Sequence, residues 1–289
     1  MKSRHLFHVD SREIKRVVKN ALAEDIGSGD VTSLATVPKN LKVRAVMRAR
    51  EPLVVAGLEL AECAFRELSG EVRVSMKSYD GQHVKSGKTL LEIAGPARAV
   101  LSAERVALNF VQRLSGVATF TARFVKAVRG TRAVILDTRK TTPGCRILEK
   151  YAVACGGGKN HRIGLFDMIL IKDNHLVALR QEKPNAIAAA VARARKEFPR
   201  LKVEVEADNL AQVGHALEAG ADVILLDNMD LKRMRTAVKV VNGRARLEAS
   251  GGVDLKTVRA IARTGVDFIS VGALTHSAPA VDIGLDFES

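Results

Sequence analysis

The chain has 289 residues, 47% of them hydrophobic, and its 46 Lys and Arg outnumber its 32 Asp and Glu to give a formal net charge of +14. This composition excludes a disordered chain and provides enough apolar side chain for the core of one or two domains. The charge leaves nucleic acid, an anionic membrane and an acidic small substrate open, and the interspersed charges, absent Trp and two Tyr favour the small substrate.

The cysteine content and the hydropathy of the chain indicate in which cellular compartment the protein is expected. Cys63, Cys145 and Cys155 are an odd number with no Cys-x-x-Cys pair, so neither a disulfide framework nor a zinc site is indicated. The first eight residues contain no apolar leader, and no apolar stretch approaches the roughly 20 residues of a membrane span. We therefore expect a soluble, cytoplasmic protein.

The first third of the chain mixes helices with extended segments. The patterns predict a helix from Ser11, with Ser11 as its N-cap, extended structure over 43–55, a helix over 58–68 and extended structure over 72–78. The turn-rich segment 80–93 resembles the hairpins of biotin- and lipoyl-carrier domains. A carrier would need a modifiable Lys at a second tight turn, and Gly95-Pro96 instead leads into a helical pattern, so we interpret the hairpin as scaffold.

A regular alternation of strands and helices begins near residue 132. It follows a helical region over 102–128 that we expect to break near Ser115-Gly116. Six strands are predicted, at 133–138, 167–172, 202–206, 222–227, 246–250 and 267–271, separated by helices that include 186–198, 210–218 and 255–263. Alternation of this kind indicates parallel βα units, and fewer than eight strands indicate an incomplete barrel or a hidden strand.

Cationic residues follow two of these strands and fill a glycine-rich loop. Arg139 and Lys140 come after the first strand, His161 and Arg162 close Gly156-Gly157-Gly158-Lys159-Asn160, and Lys172 ends the second strand. Strand ends of a barrel meet at one face, and Arg and Lys there suit carboxylates and phosphates. His161 could donate to a substrate, act as a general acid or pack in the core; a metal-ligand role is the least favoured. His175 is expected to be structural.

Acidic and small residues end the later strands. Glu206 and Asp227 end consecutive strands and suit Mg²⁺, or they could pair with Lys140 or Lys172. Ser250-Gly251-Gly252 and Val271-Gly272-Ala273 follow the last two strands, where barrels often bind a phosphate through backbone N–H groups. Arg105, on the long helical region, would on its own pass for a solvated charge.

Several long motifs resemble the quinolinate phosphoribosyltransferase family. They occur in the family's order and are Glu24-Asp25-Ile26-Gly27-Ser28-Gly29-Asp30-Val31-Thr32, Ala103-Glu104-Arg105, Leu114-Ser115-Gly116, Asp137-Thr138-Arg139-Lys140-Thr141-Thr142-Pro143-Gly144, Lys159-Asn160-His161-Arg162 and Ile171-Lys172-Asp173-Asn174-His175. The resemblance implies an α/β fold with an N-terminal α/β sandwich domain over 1–115, completed by 275–289, and an incomplete α/β barrel over 116–274.

The resemblance also implies a function and roles for residues. The family transfers phosphoribosyl from phosphoribosyl pyrophosphate to the ring nitrogen of quinolinate, with decarboxylation, to give nicotinate mononucleotide for NAD biosynthesis. The implied residues fall into four groups: Arg139, His161, Arg162 and Lys172 for the quinolinate carboxylates; Lys140, Glu206 and Asp227 for phosphoribosyl pyrophosphate and Mg²⁺, and as catalytic residues; Ser250, Gly251, Gly252, Val271, Gly272 and Ala273 for the 5-phosphate; and Thr138 for substrate.

Assembly is implied as well. In the family the active sites lie at a homodimer interface, so Arg105 would reach into the partner subunit's site. Two alternatives remain open at this point: a related transferase that acts on another base, and a basic protein that binds nucleic acid.

Overall fold

The computed structural model describes residues 9–288, so the first eight residues, where no leader was expected, lie outside it. The chain forms two compact units. The first comprises residues up to 122, residues 143–157 and residues from 277 onward; the second comprises residues 123–142 and 158–276. Segment 143–157 thus belongs with the first unit, although it lies inside the stretch expected to form the barrel. No helix in residues 9–288 is long and apolar enough to cross a membrane.

The first unit combines helices with an antiparallel sheet. Numbered in chain order, its elements are α1 (Ser11–Ile26), α2 (Val31–Thr36), β1 (Lys42–Ala49), β2 (Leu53–Val54), α3 (Leu58–Leu68), β3 (Arg73–Met76), β4 (His83–Val84), β5 (Thr89–Pro96), most of α4 (Ala97–Ala127), α5 (Arg146–Cys155) and β12 (Ile283–Glu288). The main sheet has the order β12-β1-β5-β3, and β2 pairs with β4.

The N-terminal end of α1 differs by one residue from its prediction. The N-cap is Asp10, whose side chain accepts a hydrogen bond from the backbone N–H of Arg12. Ser11 is the first helical residue. Asp and Ser are both favoured at an N-cap, so composition alone did not distinguish the two positions.

The segment 80–93 is built into the first unit. Asp80 accepts hydrogen bonds from the backbone N–H groups of Gly57 and Leu58, at 2.7 and 3.2 Å, where α3 begins. The hydroxyl of Tyr151 also donates to Asp80, at 2.7 Å. Burial raises the pKa of the Asp80 carboxyl, and these three hydrogen bonds oppose the rise. The turn therefore caps a helix, in keeping with a scaffold role.

Helix α4 is continuous through Ser115 and Gly116, so the predicted break is wrong. Gly116 lies against the chain at Pro279: a Cβ built on it would be 2.1 Å from the Pro279 carbonyl oxygen and 3.0 Å from Cα of Ala280. The hydroxyl of Ser115 bonds to both the N–H and the C=O of Ala56. Both residues permit close packing of neighbouring backbone, and that packing outweighs their weak helix propensity.

The second unit carries six parallel strands. Its elements are β6 (Val134–Leu136), β7 (Ile169–Ile171), α6 (Asp173–Ala178), α7 (Ala186–Glu197), β8 (Val203–Ala207), α8 (Leu210–Glu218), β9 (Val223–Asp227), α9 (Leu231–Val241), β10 (Arg246–Ser250), α10 (Val258–Ala262), β11 (Phe268–Ser270) and α11 (Ala273–His276). Helix α10 is shorter than predicted because Asp254 folds the preceding residues into a turn, accepting from the N–H groups of Lys256 and Thr257.

The parallel sheet confirms the predicted strands and the incomplete barrel. Its order is β6-β11-β10-β9-β8-β7, and every pair is parallel. Within residues 9–288, β6 and β7 form the two ends of the sheet and do not pair with each other. Central strands such as β9 are buried along their length, as expected for strands covered on both faces. All six carboxyl ends lie at one edge.

The tight approach at Gly116 gives a stability prediction. Gly116→Ala should lower the free energy of unfolding by about 1–3 kcal/mol, because the new methyl group overlaps a backbone carbonyl that cannot rotate away. Gly214→Ala on α8 is the matched control. Nothing lies within 4 Å of a Cβ at that position, so the substitution should stabilise the protein by about 0.5–1 kcal/mol. Urea denaturation of both variants measures the difference; equal effects would contradict the packing argument.

Candidate active site

A cavity of about 470 Å³ opens at the carboxyl edge of the parallel sheet. All of the residues that line it belong to the second unit. They are Thr138, Arg139, Lys140, His161, Arg162, Leu170, Lys172, Glu206, Leu225, Asp227, Asn228, Glu248, Ser250, Gly251, Gly252 and Ser270. A polar cavity of this size at the strand ends of a barrel is where a small anionic ligand would bind.

Arg139 and Lys140 lie in a segment that follows β6, and hydrogen bonds from neighbouring residues fix its conformation. The hydroxyl of Thr138 accepts from the N–H of Lys140, and the hydroxyl of Thr275 donates to the Lys140 carbonyl at 2.6 Å. Nε of Arg139 is buried without a hydrogen-bond partner among the described residues. A buried, unmatched guanidinium donor is costly, so this position is suited to an anionic ligand.

Arg162 adds a second guanidinium to the same cavity. Its side chain donates to the backbone carbonyl of Met168 at 3.3 Å. Burial, and then the neighbouring charge of Arg139, lower the pKa of Arg162. The two guanidinium groups therefore repel each other, and an anion placed between them would relieve that repulsion.

The loop that presents His161 is fixed by a carboxylate. Asp137 is fully buried at the end of β6. It accepts from the backbone N–H of His161 at 2.8 Å and from the side-chain amide of Asn160 at 2.7 Å. Lys159 forms a parallel bridge with Leu136, so this loop runs alongside β6. The glycine-rich segment before it thus delivers His161 to the cavity.

Two buried glutamates, neither of them predicted from the sequence, lie beside His161. Nε2 of His161 is 2.9 Å from Glu204 on β8 and 3.6 Å from Glu248 on β10. Burial, and then the charge of Glu204, raise the pKa of Glu248 to about 8. Each glutamate lies two residues before a strand-end residue, Glu206 or Ser250, and so on the same face one layer deeper. The feature of the sequence that could have predicted them is an acidic residue inside an apolar strand, two residues before a polar residue at the strand end.

Acidic groups occupy another part of the lining. Oxygen atoms of Glu206, Asp227 and Asp208 lie within 4.8 Å of one another. Burial raises the pKa of Glu206, Lys172 lowers it from 3.9 Å away, and Asp227 raises it again. Three hard oxygen donors at this spacing fit a divalent cation such as Mg²⁺. Asp208 was not predicted because it lies one residue beyond β8.

His175 has a structural role, as expected. Its Nδ1 accepts a hydrogen bond from the backbone N–H of Lys172 at 2.9 Å and so caps the start of α6. The side chain of Lys172 lines the cavity. Within the motif Lys172-Asp173-Asn174-His175, His175 therefore fixes the backbone at Lys172.

The Ser250-Gly251-Gly252 loop requires glycine. Gly251 has φ +95°, and a Cβ there would lie 2.1 Å from the side-chain oxygen of Asn228. Asn228 itself has φ 51° and donates to Asp227 at 2.7 Å. The loop thus packs closely on the end of β9, and it leaves the backbone of residues 250–252 facing the cavity.

Four of the predicted site residues do not line this cavity. Val271 and Gly272 lie between β11 and α11, Ala273 is the first residue of α11, and Ser270 lines the cavity in their place. A Cβ on Gly272 would lie 3.1 Å from the Lys140 side chain, so the segment packs beside a lining residue. Arg105 is exposed on α4, in the first unit.

Comparisons with known proteins match the whole of this architecture. Models of the quinolinate phosphoribosyl transferase N-terminal and C-terminal domains match residues 30–115 and 117–286. A nicotinate-nucleotide pyrophosphorylase (carboxylating) of Mycobacterium leprae is 45% identical, covering 93% of this chain and 95% of that protein. A chloroplastic enzyme of that name from Oryza sativa is 43% identical over 96% of this chain and 78% of its own.

Solved structures agree with these matches. The nicotinate-nucleotide pyrophosphorylase of Francisella tularensis has a TM-score of 0.92 at 39% identity, covering 99% of this chain and 100% of that one. That of Ehrlichia chaffeensis has a TM-score of 0.90 at 40% identity, covering 98% and 100%. Likeness over the full length of both chains extends to the antiparallel sheet and to the incomplete barrel.

Proposed function

The chain belongs to the quinolinate phosphoribosyltransferase family, and from this premise we propose that the cavity of its second unit is the active site. The protein transfers the phosphoribosyl group of phosphoribosyl pyrophosphate to quinolinate and releases pyrophosphate and CO₂. The observation that supports this placement is the convergence of four cationic side chains and a histidine beside a group of carboxylates. They are Arg139, Lys140, His161, Arg162 and Lys172.

The cationic part of the cavity would bind quinolinate. A pyridine with two adjacent carboxylates carries two negative charges, and guanidinium groups form paired hydrogen bonds to each. Arg139 offers its unmatched Nε donor, and an anion bound beside Arg139 and Arg162 would offset the repulsion between their charges. Lys172 supplies a further cation, His161 supplies an imidazole, and Leu170 and Leu225 supply apolar surface for the pyridine ring.

The acidic part would bind the magnesium complex of phosphoribosyl pyrophosphate. Glu206 and Asp227, with Asp208 beside them, have the oxygen donors that a divalent cation prefers. Mg²⁺ held by these carboxylates would supply positive charge to stabilise the pyrophosphate leaving group. Lys140 would contact the same phosphates, and the backbone of 250–252 would hold the 5-phosphate.

The reaction has two steps, phosphoribosyl transfer and decarboxylation, and positioning and electrostatics are sufficient for both. The ring nitrogen attacks the anomeric carbon, the new C–N bond forms as the C–O bond breaks, and pyrophosphate leaves with the electron pair. Loss of the 2-carboxylate as CO₂ leaves an electron pair on the ring, which the pyridinium nitrogen stabilises before a proton replaces the carboxylate. No nucleophile on the protein is required, so the residues act by placing charge where it develops.

The charge of the substrate provides the test of this placement. Arg162→Gln should raise KM for quinolinate about 10- to 100-fold, with a smaller effect on KM for phosphoribosyl pyrophosphate, because one charge-assisted contact to a carboxylate is lost. Formation of nicotinate mononucleotide measures both constants. Arg263→Gln, at an exposed arginine of the same unit, is the control and should change neither. Consumption of nicotinate or a purine base in place of quinolinate would contradict the proposed binding site.

The magnesium proposal has a separate test. Glu206→Gln should raise the Mg²⁺ concentration for half-maximal activity about tenfold, because one of the clustered carboxylates becomes a neutral amide. Titration calorimetry with Mg²⁺ and phosphoribosyl pyrophosphate should show the same weakening without turnover. Glu218→Gln, at an exposed glutamate at the end of α8, is the matched control. An unchanged Mg²⁺ requirement in Glu206→Gln would exclude this carboxylate as a ligand.

We also propose a homodimer in which Arg105 completes the partner subunit's active site. Arg105 is exposed on α4 and is not among the residues that line the cavity, so in this proposal the partner chain supplies it. A two-fold dimer would provide this arrangement in both directions. The cytoplasmic location expected from the sequence stays a prediction, since the rice relative carries a chloroplastic name.

Hybrid dimers test the shared site. An Arg105→Ala chain and a Lys140→Ala chain, co-expressed with different tags and purified through both, should have about half the activity of the wild-type dimer, since one of its two sites contains no substitution. Each variant alone should be nearly inactive. Hybrids no more active than the parents would show that Arg105 serves its own chain or none.

A further inference from the structure

Glu204 and Glu248 have no role in the function described so far, yet both carboxyl groups lie inside the barrel. Glu204 is 0% exposed and Glu248 is 2% exposed. Burying a carboxylate is costly unless a partner compensates it, and hydrophobic residues would fill the same space without that cost. Their presence behind a cavity residue therefore needs an explanation in terms of that residue.

The two glutamates face one ring nitrogen. Nε2 of His161 lies 2.9 Å from Oε2 of Glu204 and 3.6 Å from Oε2 of Glu248. The Oε1 atoms of both glutamates are buried and have no hydrogen-bond partner among residues 9–288. Since a carboxylate oxygen accepts hydrogen bonds, this geometry suits the tautomer of His161 in which Nε2 carries the ring proton.

The backbone of His161 is held independently of its ring. Asp137 accepts from the His161 N–H at 2.8 Å and from Asn160 at 2.7 Å. The main chain and the imidazole are thus fixed from two different strands, β6 through Asp137 and β8 through Glu204. A histidine restrained at both ends presents its ring to a ligand with little loss of conformational freedom.

We propose that Glu204 and Glu248 are positioning residues for quinolinate binding, which hold the imidazole of His161 by Nε2 and so fix the orientation in which the ring meets a substrate carboxylate. The inference rests on the proposed function, because it requires His161 to contact quinolinate. Glu204, at hydrogen-bond distance, is the principal partner, and Glu248 is the secondary one.

The raised pKa of Glu248 is consistent with this division. Burial, and then the neighbouring Glu204, raise the pKa of Glu248 and so favour its protonated form. An uncharged Glu248 also reduces the repulsion between two carboxyl groups buried side by side.

Isosteric variants test the proposal. Glu204→Gln should raise KM for quinolinate about tenfold and leave KM for phosphoribosyl pyrophosphate within about twofold, because the amide no longer holds the ring as a charged acceptor. Glu248→Gln should raise KM for quinolinate by a smaller factor, since an amide resembles a protonated carboxyl group. Glu197→Gln, at an exposed glutamate of α7, is the matched control and should leave all constants unchanged.

A double-variant cycle separates this inference from the proposed function. If Glu204 acts through His161, adding Glu204→Gln to His161→Gln should raise KM for quinolinate no further than His161→Gln alone. A rise in KM with His161→Gln but none with Glu204→Gln overturns the positioning role and leaves the proposed function intact. No rise with His161→Gln overturns the proposed contact itself.

A measurement on the wild-type protein covers the case in which Glu204→Gln does not fold. Nitrogen-15 NMR of labelled histidine side chains, with His161→Gln to assign the signal among seven histidines, reports which ring nitrogen carries a proton. We expect Nε2 of His161 to be protonated at neutral pH. An Nε2 without a proton overturns the proposal.

Discussion

Repulsion between like charges is the constraint on which this site depends. Burial, and then the neighbouring charge of Arg139, lower the pKa of Arg162. Buried carboxyl groups, those of Asp137 and Glu204, lie beneath the cationic side chains, where they can offset that positive charge. The cavity can therefore be strongly positive at its surface without the cost of an isolated buried charge.

Parallel strand direction makes that arrangement possible. Side chains two residues apart on a strand share a face, so each strand can place one polar group at its end and another one layer deeper. Strand β8 uses both positions, with Glu206 above Glu204, and β10 does so with Ser250 above Glu248. In the proposed arrangement the upper layer contacts ligands, and the lower layer holds His161. In this arrangement, the two anionic substrates bind at different parts of the cavity. Quinolinate contacts cationic side chains directly, whereas phosphoribosyl pyrophosphate binds together with a metal ion.

Much of this architecture follows from local pattern. Apolar runs separated by amphipathic helices predicted all six parallel strands, and the glycine- and lysine-rich motifs predicted most of the cavity lining. The continuous α4 could not be predicted, because Gly116 is explained only by a chain segment more than 160 residues later, at Pro279. Glu204 and Glu248 were missed for a related reason: their value depends on His161, which arrives from a different loop. Local propensity predicts elements, whereas such long-range partners appear only in the folded chain.

The pairing of β12 with β1 has a consequence for synthesis. Strand β1 is buried over much of its length and needs β12 on one of its edges, but the two are separated by about 234 residues between Ala49 and Ile283. At about 5–20 residues per second, translation leaves that edge open for on the order of 10–50 seconds. An open apolar edge can recruit strands from neighbouring nascent chains. Cells making this protein rapidly should therefore depend on chaperones that bind partly synthesised polypeptides, more than its compact final form would suggest.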